Sequence, residues 1–387
     1  MKLADRLNYL GTETAFIVFS KALELERQGK EVVHLEIGEP DFDTPPNIIR
    51  SAVDALNNHW THYCPSAGLY ELREAVAEDI NMRRGLDISP NNVVVTPGGK
   101  PIISFVMLAL VNPGEEVIYP NPGYPIYESI ISFIGAKAVP IKMREEFEFR
   151  LDVEELRSLV TPKTKMIVIN SPHNPTGSVL TREDLKAIAE IAVENDIYVL
   201  SDEIYNRIVY NGDHVSIATF PGMKERTIML DGFSKTYAMT GWRVGYGIMP
   251  EVLASQVAKL ETNVNSCTTT FSQIACIEAL KGDQSLVDIM VAEFKKRRNF
   301  FHEGLQNIKG FECHKPHGAF YLFPNIKEFG IKSSEMEQKL LYDGGVAALT
   351  GTSFGAFGEG YIRFSYANSL ENIEKALSKL EDFVKKL

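Results

Sequence analysis

Five short apolar runs, rich in β-branched residues and separated by helical stretches, constrain the fold of this 387-residue chain more than any other feature. The runs are 93–96, 116–119, 166–170, 197–201 and 227–230. Short apolar strands that alternate with amphipathic helices are typical of a parallel sheet covered on both faces. We therefore predict an α/β fold with a mostly parallel sheet and helices on both faces.

A change in the pattern of predicted helices and strands near residue 285 indicates a second, smaller domain. A long charged helix begins there, and short strands around 320–323 and 361–364 and a final helix from Leu370 follow. We predict a large domain over 45–285 and a small α+β domain over 286–387. A helix over 15–28 and a strand over 32–37 are expected in an N-terminal segment, 1–44, that packs with the small domain.

Composition excludes several classes of function. The net charge is −11 and there is no basic block, so a nucleic-acid partner is not expected. The most apolar stretch, 102–111, has only about half of the roughly 20 residues that a membrane helix needs, and it is predicted to be a buried helix. The N-terminus shows neither the apolar core nor the cleavage site of a signal peptide, so we expect the protein in the cytoplasm.

The cysteines and histidines give no metal-binding pattern. The four cysteines are far apart and lack CxxC spacing, so we expect buried thiols. Two histidine-rich groups, Cys313 with His314 and His317, and His59 with His62, lack a second matched pair of ligands. No metal site is therefore predicted.

The run Gly232-Phe-Ser-Lys-Thr-Tyr-Ala-Met-Thr-Gly-Trp-Arg-Val-Gly245 carries a chemical signature. The amine of Lys235 can condense with an aldehyde, and Arg243, eight residues later, can hold a phosphate as a bidentate pair. An aldehyde and a phosphate together indicate a pyridoxal phosphate site. The alternative is a surface lysine and a solvated arginine, the usual fate of both residue types.

The loops that follow the other four strands offer matching groups. In an open α/β sheet, ligands bind beyond the carboxyl ends of the strands. In chain order these loops carry the backbone amides of Gly99 and Lys100 for a phosphate, Tyr124 to stack on a ring, Asn174 to donate to a phenolate, and Asp202 with Tyr205.

Each of these residues also has a purely structural interpretation. Gly99 could belong to a plain turn, Tyr124 could fill one, Asp202 could be a helix N-cap and Tyr205 a core aromatic. Agreement across five successive loops favours the ligand site. Arg243 stands before a strand, so that strand must run antiparallel to its neighbours if the guanidinium is to share the site.

Motifs along nearly the whole chain resemble those of class I aminotransferases, within pyridoxal phosphate fold type I. The matching segments, in the order of that family, are Gly38-Glu-Pro-Asp-Phe-Asp-Thr-Pro, Tyr63-Cys-Pro-Ser-Ala-Gly with Leu72-Arg-Glu-Ala, Asn174-Pro-Thr-Gly, Asp202-Glu-Ile-Tyr205, the Lys235 run and Arg363-Phe-Ser-Tyr-Ala. One departure is Gly232, where many relatives carry a phosphate-binding serine. Ser234 is a candidate substitute.

The resemblance implies a role for each matching residue. Lys235 would form the internal aldimine and carry protons, Asp202 would pair with the pyridine nitrogen, and Tyr205 with Asn174 would hold the 3' oxygen. Arg243 with the Gly99 and Lys100 amides would hold the phosphate, while Tyr124 would stack on the ring. Arg363 would grip the substrate carboxylate, and Gly38 and Asn174 would also contact the substrate. The family forms homodimers with shared sites, and Tyr63 would reach the neighbouring subunit's phosphate.

The implied reaction moves an amino group between an L-amino acid and a 2-oxo acid in two half-reactions. A pyridoxal phosphate-dependent lyase, a non-catalytic relative and a nicotinamide dehydrogenase are the alternatives, although the last lacks GxGxxG. The side-chain pocket is expected to include Phe16 and its neighbours Thr14, Ala15 and Ile17. No second arginine or lysine is assignable to a distal carboxylate, so acidic, aromatic and aliphatic substrates all remain open.

Overall fold

The structure, a computed structural model, describes residues 1–387 and has three sheets. The strands are β1 (Val33–His34), β2 (Val93–Thr96), β3 (Glu116–Asn121), β4 (Lys137–Lys142), β5 (Thr164–Asn170), β6 (Tyr198–Asp202), β7 (Thr227–Gly232), β8 (Gly245–Ile248), β9 (Tyr321–Leu322), β10 (Val346–Ala347), β11 (Leu349–Thr350) and β12 (Ile362–Ser365). The α-helices are α1 (Ala15–Arg27), α2 (Pro46–Asn57), α3 (Tyr70–Arg84), α4 (Lys100–Leu110), α5 (Ile126–Phe133), α6 (Val153–Leu159), α7 (Arg182–Glu194), α8 (Phe233–Thr236), α9 (Glu251–Val264), α10 (Thr270–Lys281), α11 (Ser285–Gln306), α12 (Ser333–Tyr342) and α13 (Leu370–Val384).

The central sheet has seven strands in the order β2-β8-β7-β6-β5-β3-β4. All neighbouring pairs are parallel except those of β8, which runs antiparallel to both β7 and β2. This confirms the predicted reversal of the strand after Arg243. The five predicted strands all belong to this sheet. Edge strand β4 was not predicted, because its two buried residues alternate with partly exposed ones instead of forming a continuous apolar run.

Helices cover both faces of the central sheet, as predicted. Val94 packs in one core cluster with Ile102 and Val106 of α4, whereas its neighbours Val93 and Val95 pack in another with residues of α3. This alternation follows from the two-residue period of a strand whose two faces are both buried.

Helix α7 begins after an N-cap threonine, Thr181. The Thr181 hydroxyl accepts from the Asp184 amide at 3.1 Å, and the Asp184 carboxylate accepts from the Thr181 amide at 2.9 Å. This reciprocal capping box satisfies two amides at the start of the helix.

The C-terminal part has its own core. Helices α11, α12 and α13 pack against a three-stranded antiparallel sheet, β11-β12-β9, around buried residues such as Phe294, Phe301 and Leu380. The N-terminal chain joins it because β1 pairs parallel with β10. The predicted strand over 32–37 is shorter than expected and comprises β1 alone.

Cys276 and Cys313 are buried, but Cys64 and Cys267 are only half-buried, so the prediction of four buried thiols is wrong for these two. No helix has both the length and the apolar character that a membrane crossing requires.

Candidate active site

A cavity of about 810 Å³ lies at the carboxyl ends of the central strands, between that sheet and the C-terminal part. It brings together every predicted site residue except Tyr63, namely Phe16, Gly38, Gly99, Lys100, Tyr124, Asn174, Asp202, Tyr205, Lys235, Arg243 and Arg363. Tyr63 lies outside the cavity and its side chain is 88% exposed.

Lys235 stands on the short helix α8, directly after β7. Its Nζ donates to the carbonyl oxygen of Gly38 at 2.5 Å. Burial lowers the pKa of the amine to about 8, against the opposing effect of the Glu39 carboxylate. A larger fraction of this amine is therefore unprotonated near neutral pH than of an ordinary lysine, as a nucleophile requires.

Asp202 is a buried carboxylate at the end of β6. It accepts from the Tyr127 hydroxyl at 2.5 Å and from the Ile204 amide at 3.2 Å, and no basic side chain forms an ion pair with it. Burial raises the pKa of Asp202 to about 6. A cationic ring nitrogen of a ligand would supply the missing partner, since buried charges are stable only when paired.

A glycine turn and an arginine form an anion cradle at the start of α4. Gly98 has a φ of +85°, and a Cβ atom there would lie 2.3 Å from Nη2 of Arg243. The guanidinium is held in place by a hydrogen bond from its Nη1 to the Thr240 carbonyl at 2.8 Å. The N-terminal amides of α4 and the guanidinium thus face a common region that suits a phosphate.

Arg363, on β12, is 4% exposed. Its Nη1 donates to Oδ1 of Asn174 at 3.0 Å and its Nη2 to the Glu36 carbonyl at 2.5 Å, while its Nε has no partner. With its oxygen so engaged, Asn174 has its amide nitrogen left to donate to a ligand. Arg363 and Asn174 are therefore suited to bind two neighbouring groups of a ligand, an anion at Arg363 and a ring oxygen at Asn174.

The sequence did not single out Tyr321, which lines the cavity, or Tyr127, which is fully buried and donates to Asp202. The Tyr321 hydroxyl lies 2.7 Å from that of Tyr205, and its ring lies 4.4 Å from the Arg363 guanidinium carbon. Gly38 is needed beside it, because a Cβ atom there would lie 2.2 Å from the Tyr321 oxygen. The only sequence signal for Tyr321 was its place in a predicted strand, which does not tell which side chain faces a site.

The start of α1 covers the cavity. Thr14, Ala15 and Phe16 line it as expected, whereas Ile17 lines a neighbouring cavity instead. Glu13, which the sequence did not single out, also lines it.

The departure at Gly232 has a steric basis. Gly232 is opposite Gly245 in the β7–β8 pair, and a Cβ atom at 232 would lie 3.0 Å from the Gly245 Cα. A serine there would be crowded. Ser234, the candidate substitute, lines the cavity.

Comparison with known proteins points to one family. Residues 30–380 match the family profile described as aminotransferase class I and II. The chain is 41% identical to aromatic-amino-acid aminotransferase 2 of Thermococcus litoralis, with 100% of this chain and 99% of that one covered. It is 42% identical to an aspartate aminotransferase of Pyrococcus abyssi, with 98% of each covered. The solved aspartate aminotransferase of Thermus thermophilus superposes with a TM-score of 0.95 at 37% identity, covering 99% of this chain and 100% of that one.

Proposed function

This chain belongs to the class I and II aminotransferases, enzymes that depend on pyridoxal phosphate, and we propose that Lys235 is the residue that carries the cofactor in it. The enzyme moves an amino group between an amino acid and a 2-oxo acid, which sets aside the lyase, non-catalytic and dehydrogenase alternatives. The observation that carries the proposal is a lysine of lowered pKa in one cavity with a buried, unpaired carboxylate and a buried arginine.

The residues present fit the cofactor. Asp202 would hold the ring nitrogen in its protonated form, because the carboxylate lacks a cation of its own. Arg243 and the amides at the start of α4 would hold the phosphate, Tyr205 and Asn174 the 3' oxygen, and Tyr124 the ring face. When bound, pyridoxal phosphate supplies the conjugated system that takes up the electron pair released as the substrate Cα–H bond breaks.

The residues around the substrate would bind its carboxylate, transfer its proton and contact its side chain. Arg363 would bind the α-carboxylate and so orient the Cα–H bond, while the backbone of Gly38 and the side chain of Asn174 complete this contact. The amine of Lys235 would act at the substrate Cα–H bond, first as a general base that takes the proton and then, once protonated, as a general acid. Phe16 would contact the substrate side chain.

The lowered pKa of Lys235 predicts the pH dependence of cofactor attachment. Only the unprotonated amine attacks an aldehyde, so in protein stripped of cofactor we expect the rate of covalent attachment to rise with pH and to level off above about 8. Stopped-flow absorbance after mixing with pyridoxal phosphate measures this rate. A profile that still rises toward pH 10.5, the ordinary lysine value, would contradict the proposed environment of Lys235.

Replacement of Arg363 tests substrate binding. Arg363→Met keeps most of the buried volume but removes the charge, so we expect KM for the amino donor to rise by about 100-fold or more, with a smaller fall in kcat. Arg363→Lys keeps a charge without the planar fork, and its KM should lie in between. Saturation kinetics of the isolated half-reaction measure both constants, and an unchanged KM in Arg363→Met would exclude this role.

The substrate is best identified by a half-reaction screen. Each of the twenty amino acids is mixed with the enzyme, and the change in cofactor absorbance reports amino transfer. Pyruvate and ammonia formed without an acceptor acid would instead reveal a lyase activity.

Assembly, domain division and location extend the proposal. We propose a homodimer with shared active sites, supported by family membership and by the exposed Tyr63, which is suited to reach a neighbouring subunit. Light scattering after size-exclusion chromatography tests the dimer.

We also propose that 45–285 is the cofactor-binding domain and that 1–44 belongs with 286–387, a division that limited proteolysis can test. A cytoplasmic location, where free amino acids are available, is tested by cell fractionation.

A further inference from the structure

An ion pair between Glu13 and Lys100 lies at the boundary of two cavities. Both residues line the active-site cavity and also a second cavity of about 610 Å³ on its outer side. Oε1 of Glu13 contacts the Lys100 ammonium and also accepts from the Tyr124 hydroxyl at 2.8 Å. The end of the active-site cavity beside Tyr124 therefore carries a cation whose charge is already compensated.

The chain on both sides of Glu13 is anchored. Before it, the Gly11 amide donates to the Ser129 hydroxyl at 2.9 Å. After it, the Thr14 hydroxyl donates to that of Ser353 at 2.6 Å. These contacts tie the segment to helix α5 on one side and to the C-terminal part on the other. The two anchors therefore fix the position of the Glu13 backbone beside the cavity, whereas an ordinary surface residue has no such contacts.

The charge of Glu13 acts on other groups of the cavity. Burial is the main cause that raises the pKa of Tyr124, and the Glu13 carboxylate raises it further. The same carboxylate partly opposes the lowering of the pKa of Lys235 and of Arg363, which in both cases is caused mainly by burial. A negative charge at this position is therefore felt by the groups assigned to the cofactor and to the substrate.

We propose that Glu13 is a specificity-determining residue, which occupies the Lys100 ammonium and so disfavours amino acids that carry a second carboxylate. The inference rests on the proposed function, because Arg363 is taken to bind the α-carboxylate common to all substrates. A distal carboxylate that approaches Lys100 must displace Glu13 or lie beside a like charge, and like charges in a partly enclosed site repel. A substrate with an uncharged side chain neither displaces Glu13 nor is repelled by it. Phe16 offers such a side chain an apolar contact.

Glu13→Gln provides a direct test with little structural change. The amide keeps the shape and a hydrogen-bonding oxygen for Tyr124 but removes the charge, and an ion pair with a half-exposed lysine adds little to stability. Binding of two unreactive ligands of equal chain length, glutarate and pentanoate, to the holoenzyme is measured by calorimetry. We expect the ratio of their affinities to shift toward glutarate by about tenfold in Glu13→Gln.

The shift must depend on Lys100. In the double variant Glu13→Gln with Lys100→Met, the gain for glutarate should disappear, since no ammonium is left to bind it. Glu24→Gln removes a carboxylate that lines only the outer cavity, and it should leave the ratio unchanged. Half-reactions with L-glutamate and L-norvaline, again matched in length, should show the same change in preference.

The outcomes separate this inference from the proposed function. An unchanged ratio in Glu13→Gln, or an equal shift in the absence of Lys100, overturns the role of Glu13. Pentanoate binding that does not weaken in Arg363→Met contradicts instead the assignment of the substrate carboxylate to Arg363.

Discussion

Lys235→Ala should abolish transamination, with a fall in kcat of at least about 10⁴-fold, because in the proposed mechanism one side chain supplies both the cofactor attachment and the proton transfer. The amine stands at the carboxyl end of β7 within hydrogen-bonding distance of Gly38, which lies in the predicted substrate region. No other lysine amine can replace it there: the ammonium of Lys100, which lines the same cavity, is paired with Glu13. Single-turnover kinetics with the cofactor-loaded variant measure the loss.

Three controls distinguish a catalytic role of Lys235 from a structural one. Lys235→Arg keeps a positive charge but cannot act as a base near neutral pH, so it should be as inactive as the alanine variant. A small primary amine added to Lys235→Ala should restore part of the proton transfer, which a merely misfolded protein would not allow. Lys259→Ala, on the exposed face of α9, should retain full activity. Full activity in Lys235→Ala itself would end the proposed mechanism.

Asp202→Asn should lower kcat/KM by about 10³-fold while the cofactor still attaches to Lys235. The change removes the charge that would pair with the ring nitrogen, and loss of one partner from a buried ion pair costs several kcal/mol, about 3–5. The shape and the contacts with Tyr127 and Ile204 can be kept by the amide. Absorbance spectra show whether the cofactor is attached, and steady-state kinetics give the loss of rate.

Asp231→Asn is the matched control for this prediction. Asp231 is a second buried carboxylate on the neighbouring strand β7, and burial raises its pKa to about 6 as well. It is bonded to Asn206 at 2.7 Å and to Tyr246 at 3.1 Å, and it does not line the cavity. Its replacement should lower thermal stability more than activity. Equal losses of activity in both variants would show that buried charge in general, and not pairing with the cofactor, is what matters.

Much of this arrangement could be predicted from sequence because it is local. Five of the seven strands of the central sheet contain a short apolar run, and the loop after each of them is placed at the carboxyl edge by chain connectivity alone. Asn174 and Asp202 were predicted in this way and Lys235 from its own run of residues, and all three line the cavity. Even the reversal of β8 followed from the need for Arg243 to reach the same edge.

The residues that were missed depend on contacts between distant parts of the chain. Tyr321 reaches Tyr205 across 116 positions, and Tyr127 reaches Asp202 across 75. Glu13 meets Lys100 only because the N-terminal segment is anchored between two distant serines, Ser129 and Ser353. Periodicity reports which residues lie on one face of an element, but it carries no information on which elements lie opposite each other.

Because β8 runs antiparallel to β7, the part of the cavity that holds Lys235 and Arg243 is built from one short continuous segment of the chain. Two antiparallel strands can be joined directly, whereas parallel neighbours need a crossover of a dozen or more residues, usually through a helix. Because Gly232 pairs with Gly245, the segment 233–244 closes on itself and carries both Lys235 and Arg243. The amine and the guanidinium therefore keep their spacing through a closed local loop, and insertions in the outer helices or rotation of the C-terminal part can alter how substrates enter without changing that distance.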